Sequence, residues 1–353
     1  MSGWYLSSPT CIMSTPRPSD IEALGYARGY EGMMQHYLPM MWQEYNQEVT
    51  ELKGAALDCS IPKRSVGTDS CLASTAQATN LDVPAFAWAA AAINELLRRN
   101  NNIHMPFQHL IYCPETAEPD YQLTPALYFK KTLGLKGLLP FALSHCGSST
   151  LSGTLELLDW LADPGGDKRA GPVLFVTAAK ETRSFPVTKS SSFPLGDAAA
   201  ACILSPVSGE WRIIRSRHYS RPLSSPDPYS WSEAEHSQQQ ELLLEQCKSE
   251  LTAFLLECSQ EHTSCDHSLS YAIVQHLNTD FMDSISQLLP CPIYTRQRES
   301  AHNLHGSDSL ISLQELSENN PCTSGTRILI LQAGPFSHLG FILLERTEEL
   351  MRK

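Results

Sequence analysis

Apolar positions along this chain follow two rhythms. Short apolar runs bounded by turn residues read as buried strands, and apolar residues recurring every three or four positions read as helices. An opening strand is predicted over 3–14, closed by Thr15-Pro16-Arg17-Pro18. Residues 19–66 are polar and rich in Met and Tyr, and give no period to assign. Asp82-Val83-Pro84 has the residue types that begin a helix, an Asp cap and an early Pro, and the run AFAWAAAAINELLRRNNN continues it. A strand at His109–Cys113 and a helix at Thr124–Leu133 lead to the stretch around which the chain is organised, LLPFALSHCGSSTLSGTLELLDWL, residues 138–161. There the apolar run Leu138–Leu143 meets a polar elbow at Ser144–Ser149. Leu151, Leu155, Leu158 and Leu161 then recur at helical steps.

Further strands are predicted at Pro172–Thr177, Ala198–Leu204 and Glu210–Ser216. After a segment rich in Ser, Pro and Tyr (217–236) comes a long helix over about Ser237–Cys258, then a strand at Ser270–Val274 and a helix to Leu289. A helix at Ser307–Leu316 and strands at Arg327–Leu331 and Leu339–Leu344 complete the pattern. The element order repeats once. This predicts an α/β protein of two similar halves, 1–216 and 217–353, with ligands at the carboxyl ends of strands.

Chemistry gathers at those strand ends. Cys146 lies where a buried strand gives way to a helix, and unpaired N–H groups at a helix start favour a thiolate there. An ordinary cysteine is only a small buried residue, so the reading needs partners downstream. His276, after the strand Tyr271-Ala272-Ile273-Val274, is the best placed of twelve histidines; His218, His236, His262 and His267 lie in polar segments. Ser307 or Asp308, entering a helix after Gly306, would ordinarily be its cap. As a third member, Asp308 would instead fix the imidazole tautomer of His276.

Composition narrows the class. The 353 residues are 42% hydrophobic and 18% charged, as in globular proteins, and the net charge of −12 argues against nucleic acid as a partner. Eleven cysteines with no CxxC pair argue against a zinc ribbon or a disulfide scaffold and for a reducing cytoplasm. Neither a signal peptide nor a membrane span is predicted. An acidic carrier protein would need a local basic patch, for which Arg98, Arg99, Lys130, Lys131 and Lys136 are the candidates.

Five phrases in order resemble the β-ketoacyl-acyl-carrier-protein synthase III group of the thiolase superfamily: Thr132–Gly137 leading to the Cys146 elbow, Leu195–Ala201, Val274–Asn278, His305–Ser309 and Ala333–Gly340. The resemblance runs from about residue 80 onward. It implies a thiolase-like five-layered αβαβα fold, usually dimeric, and acyl transfer from a coenzyme A or acyl-carrier-protein thioester to Cys146, that thioester being substrate, with no cofactor or metal. The family uses His and Asn to stabilise an enolate. Here the Asn position falls on Ser307, with Asp308 beside it and Asn303 as a distant alternative. A carboxylate repels an enolate but makes a neighbouring imidazole more basic. The set Cys146, His276 and Asp308 therefore implies transfer to a hydroxyl or amine, in specialised metabolism, over decarboxylative carbon–carbon condensation. The family's oxyanion hole uses the terminal glycine loop. Pro335 has no N–H, so either Phe336 donates there or the loop is shifted, with Gly334 and Ser307 as further candidates. Two other classes compete, a cysteine hydrolase and a non-catalytic partner subunit of a heterodimeric synthase.

Overall fold

A computed structural model of the protein describes residues 3–13, 85–100, 107–115, 125–135, 137–144, 146–161, 171–180, 193, 196–221, 232–260, 268–298, 302–320, 322–334 and 337–348. All fall in one compact unit. The expected cap at Asp82–Pro84, most of the residues before it, and Pro335 and Phe336 lie outside the described residues.

In the N-terminal half the elements are β1 (Tyr5–Ile12), α1 (Ala85–Arg99), β2 (His109–Pro114), α2 (Pro125–Thr132), β3 (Leu139–Ala142), α3 (Thr150–Leu161), β4 (Val173–Ala179) and β5 (Ala198–Ser205). The C-terminal half has β6 (Trp211–Ser220), α4 (Glu233–Gln260), β7 (Tyr271–Val274), α5 (Thr279–Ser286), α6 (Ser307–Asn319), β8 (Arg327–Ala333) and β9 (His338–Arg346). The strands form one nine-stranded sheet in the order β3-β2-β4-β5-β1-β6-β9-β8-β7.

Pairing exposes the repeat. β2 runs parallel to β3 and β4, β5 is antiparallel to β4, and β1 is antiparallel to β5. Likewise β7 runs parallel to β8, β9 is antiparallel to β8, and β6 is antiparallel to β9. A single parallel bridge, Ala272 to Ile293, stands where β3 stands in the first half. Thus β1 answers to β6, α1 to α4, β2 to β7, α2 to α5, α3 to α6, β4 to β8 and β5 to β9. The halves join where β1 pairs with β6, Tyr5 opposite Arg212 and Leu6 opposite Trp211.

Burial explains the layering. α3 packs on β6 and β9, and α6 packs on β1 and β5, so each half lends its helix to the other's strands. Leu151, Leu155 and Leu158 of α3 share a buried cluster with Leu310, Leu313 and Leu316 of α6 and with strands of both halves. α1 covers β5 from outside. Its alanines and the all-buried run Ala198–Leu204 leave no bulk between helix and strand. On the opposite outer face α4 buries Leu243, Cys247, Leu251 and Phe254, one stripe of a helix otherwise largely polar. The result is the αβαβα stack, with α3 and α6 as its central layer.

Candidate active site

Because α3 and α6 are equivalent in the repeat, the loops that feed them, at Cys146 and at His305-Gly306, are equivalent too. The elbow before α3 is tight. Gly147 has φ 50°, and the Cys146 carbonyl accepts from Ser149 N (3.1 Å) and Ser149 Oγ (2.6 Å). A side chain at Gly147 would be strained in that conformation and would place a Cβ 3.2 Å from His338 Cδ2.

Cys146 is half-buried, and among the described residues its thiol makes only a weak contact, to Ser144 O at 3.8 Å. The expected stabilisation of its thiolate does not hold. Burial pushes the thiol up, and the Glu115 and Glu156 carboxylates push it further in the same direction. Three residues separate Cys146 from the first residue of α3, and the helix field falls off within a turn.

His276 and Asp308 come together. His276 follows β7 and is buried, with Nδ1 3.1 Å from Asp308 Oδ1 and the Phe193 ring edge-on at 5.4 Å. Asp308 is fully buried, and its carboxylate does not cap α6. The cap position is Gly306, without a side-chain bond, while Asp308 Oδ2 turns back to accept from Leu304 N at 3.2 Å. Arg296 Nη1 meets Oδ1 at 2.6 Å. Burial pushes the Asp308 carboxyl up, but Arg296 and then His276 outweigh it and hold it below the ordinary carboxylate range. Asp308 is therefore an anion that orients the ring, and its ion pair with Arg296 keeps it from serving as the proton acceptor.

No hydrogen bond joins Cys146 to His276. Between the two loops stands Glu115, just past β2. Its Oε1 accepts from Gly306 N (2.6 Å) and Thr177 Oγ1 (2.9 Å), and its Oε2 lies 3.8 Å from His305 Nδ1. Burial raises the Glu115 carboxyl to about 8, against the hydrogen bonds from Thr177, Gly306 and Ser148. Its charge is felt at Cys146, and the Asp308 carboxylate pushes it up in turn. A Cβ on Gly306 would collide with Glu115 Oε1 and Thr150 Oγ1, so only glycine fits. His305 beside it has φ 55°, an uncommon conformation for a non-glycine residue. Sequence reasoning missed Glu115 and Arg296. Each sits in a polar segment that reads as exposed.

The remaining candidates are placed as follows. Ser307 is fully buried and its Oγ has no hydrogen-bond partner among the described residues. Asn303 is tied into the loop, its Oδ1 accepting from Gln275 Nε2 (2.8 Å) and His305 N (2.9 Å). Gly334 N donates to His338 O at 2.8 Å, so that N–H is taken. A Cβ on Gly334 would lie 3.5 Å from Ser148 N, which brings the terminal turn against the elbow. Phe336 lies outside the described residues. Among the described residues no His, Cys, Asp and Glu cluster could hold a metal ion, and no helix is long and apolar enough to cross a membrane.

No family model and no curated protein matches this chain. Solved structures do. The acyltransferase ChlB3 is 14% identical with a TM-score of 0.61, the match covering 98% of each chain. The 3-oxoacyl-acyl-carrier-protein synthase III of Aquifex aeolicus VF5 is 19% identical with a TM-score of 0.61, over 75% of this chain and 85% of that one. Germicidin synthase of Streptomyces coelicolor, a type III polyketide synthase, is 14% identical with a TM-score of 0.62, over 97% and 99%. At these identities the likeness establishes the fold alone: thiolase-like, of the ketoacyl synthase III kind.

Proposed function

We propose that this thiolase-fold chain is a thioester-dependent acyltransferase that passes an acyl group through Cys146 to a hydroxyl or amine acceptor. The observation that carries this reading is the buried set His276–Asp308–Arg296. Asp308 takes the Nδ1 proton as a hydrogen-bond acceptor, which leaves Nε2 of His276 with its lone pair. A ring held so is suited to removing a proton from an acceptor. Decarboxylative condensation asks for the opposite, neutral donors around a developing enolate, and a fixed anion behind the ring opposes that charge.

In the first half-reaction Cys146 sulfur attacks the thioester carbonyl. The donor's C–S bond breaks, a new C–S bond holds the acyl group, and the donor leaves as a thiol. In the second, the acceptor's O–H or N–H proton goes to His276 Nε2 while its oxygen or nitrogen attacks the acyl carbonyl. The bond to Cys146 breaks, and the sulfur recovers a proton from the imidazolium. The donor is a coenzyme A or carrier-protein thioester, the latter in keeping with the likeness to acyl-carrier-protein synthases III, and no cofactor or metal is required. Ser307, whose buried hydroxyl is unspent, is the nearest substitute for a neutral donor toward the acyl oxygen.

Mass spectrometry of the intact protein after incubation with a panel of acyl thioesters tests this. A mass gain on Cys146, released by an alcohol or amine with the donor's carboxylate retained, is the expected result. Carbon dioxide released from a malonyl donor would favour condensation instead, and a chain that never gains mass, or gains it elsewhere, ends the reading.

A further inference from the structure

No hydrogen bond joins the Cys146 thiol to His276, and that thiol, held up by burial and two carboxylates, does not ionise readily by itself. Some other group must receive its proton. The sulfur packs closely over Gly153, a buried residue of α3. A Cβ placed there would lie 3.0 Å from Cys146 Sγ and 3.6 Å from His218 Cε1. Because Gly153 has no side chain, sulfur and imidazole face one small space.

The state of that imidazole can be worked out. Ser152 Oγ has one hydrogen, which it donates to Ser149 O at 2.9 Å. Toward His218 Nδ1, 3.3 Å away, it can only accept. Nδ1 therefore carries the ring hydrogen and Nε2 the lone pair. Ser152 is itself fixed, its N–H donating to Gln332 Oε1 at 3.1 Å, and Gln332 Nε2 donates to Ser309 Oγ at 3.0 Å on α6. The groups facing His218 are Glu156 from α3 and His338 from β9, which stacks on it with centroids 6.1 Å apart at 23°. Burial lowers the proton affinity of His218, and Glu156 partly restores it. The ring is thus neutral and ready to accept.

We propose that His218 is the base for acyl loading: its Nε2 takes the Cys146 proton as the sulfur attacks the donor, while His276 serves the acceptor. The S–H bond breaks and an N–H bond forms. When the donor's C–S bond breaks, the imidazolium returns that proton to the departing thiolate, and His218 ends as it began. This rests on Cys146 being the acyl-carrying residue.

The test is alkylation of Cys146 by iodoacetamide in the full chain, followed by mass spectrometry from pH 5 to 10, in wild type, His218→Gln and Ser152→Ala. In wild type the rate rises as the imidazole loses its proton. In His218→Gln it falls tenfold or more at pH 7, and the rise moves up to the ionisation of the thiol itself. Ser152→Ala, which frees the tautomer, shifts the same way by less, and it reads the proposal should the His218 variant not fold. A His218→Gln or folded Ser152→Ala profile that overlays wild type overturns the proposal. Alkylation needs no thioester, so failure of every donor to load Cys146 would sink the acyltransferase reading and leave this result standing.

Discussion

Asp308 keeps a negative charge where water does not reach, and three donors make that possible: Arg296 Nη1, His276 Nδ1 and Leu304 N. Its replacement by Asn keeps the shape but lets the amide donate to the ring, which inverts the tautomer. Transfer to the acceptor is expected to fall by about three to four orders of magnitude, with Cys146 loading retained; single-turnover mass spectrometry separates the two steps. Arg296→Met breaks a buried ion pair and leaves the carboxylate uncompensated, at a cost of about 3–5 kcal/mol, read as a lower denaturant midpoint. Glu115 gives a pH signature. Its carboxyl holds its proton up to about 8 in the folded protein, against an ordinary value of 4.5, so the unfolded chain ionises first. That contribution to stability is full below about pH 4.5, and it is lost progressively as pH rises to 8. Glu115→Gln keeps acceptors for Gly306 N and Thr177 and removes the ionisation. Its Tm is expected to exceed that of wild type at pH 7 to 8, and the gain to vanish below pH 4.5. The Cys, His and Asp positions were legible because each sits at a strand end or helix start, a place the apolar rhythm marks. Arg296 and Glu115 were not. A polar residue in a polar stretch declares its burial only once the partner from a distant segment is known.

The elements themselves followed the apolar periods closely, and their ends differ for local reasons. α4 begins at Glu233 instead of Ser237. Ser232 and Glu235 make a reciprocal cap there, Glu235 N to Ser232 Oγ at 3.3 Å and Ser232 N to Glu235 Oε2 at 2.7 Å. β6 runs on to Ser220, past the expected end at Ser216, because β9 pairs with it residue by residue to His338. That extension puts His218 on a strand and takes it out of a polar connection, which is why its closeness to Cys146 was not legible. Ser307 or Asp308 would ordinarily cap α6. Pairing with His276 and Arg296 outweighed the roughly 1 kcal/mol that a cap supplies. The two feeder loops are the sensitive points at this scale. Gly147→Ala would force an L side chain to φ 50° against His338, at about 1–2 kcal/mol for the backbone alone. Alkylation of Cys146 is expected to slow in that variant with little loss of helix content by circular dichroism.

For the molecule as a whole, the doubled element order was legible in sequence, whereas the exchange of helices between halves was not. Nothing in the leucine spacing of α3 says that its apolar face lies on β6 and β9. Trp211 marks the seam. It is fully buried beside the β1–β6 pairing, with the Arg346 guanidinium 5.1 Å from its ring centre. Trp211→Ala is expected to cost about 3–5 kcal/mol and to lower the unfolding midpoint of both halves together, since one cluster spans them. Separate transitions would contradict that shared core.

The strand order has one more consequence, and it concerns synthesis. A ribosome moving along this chain delivers β9 after every other described strand, yet β9 belongs in the interior, with β6 on one side and β8 on the other. Until it emerges, the later half is two unjoined ribbons with bare apolar edges. The polypeptide that lacks only β9 is therefore the form that most needs chaperone protection, and tags or fusions placed close behind β9 act on the step that closes the sheet.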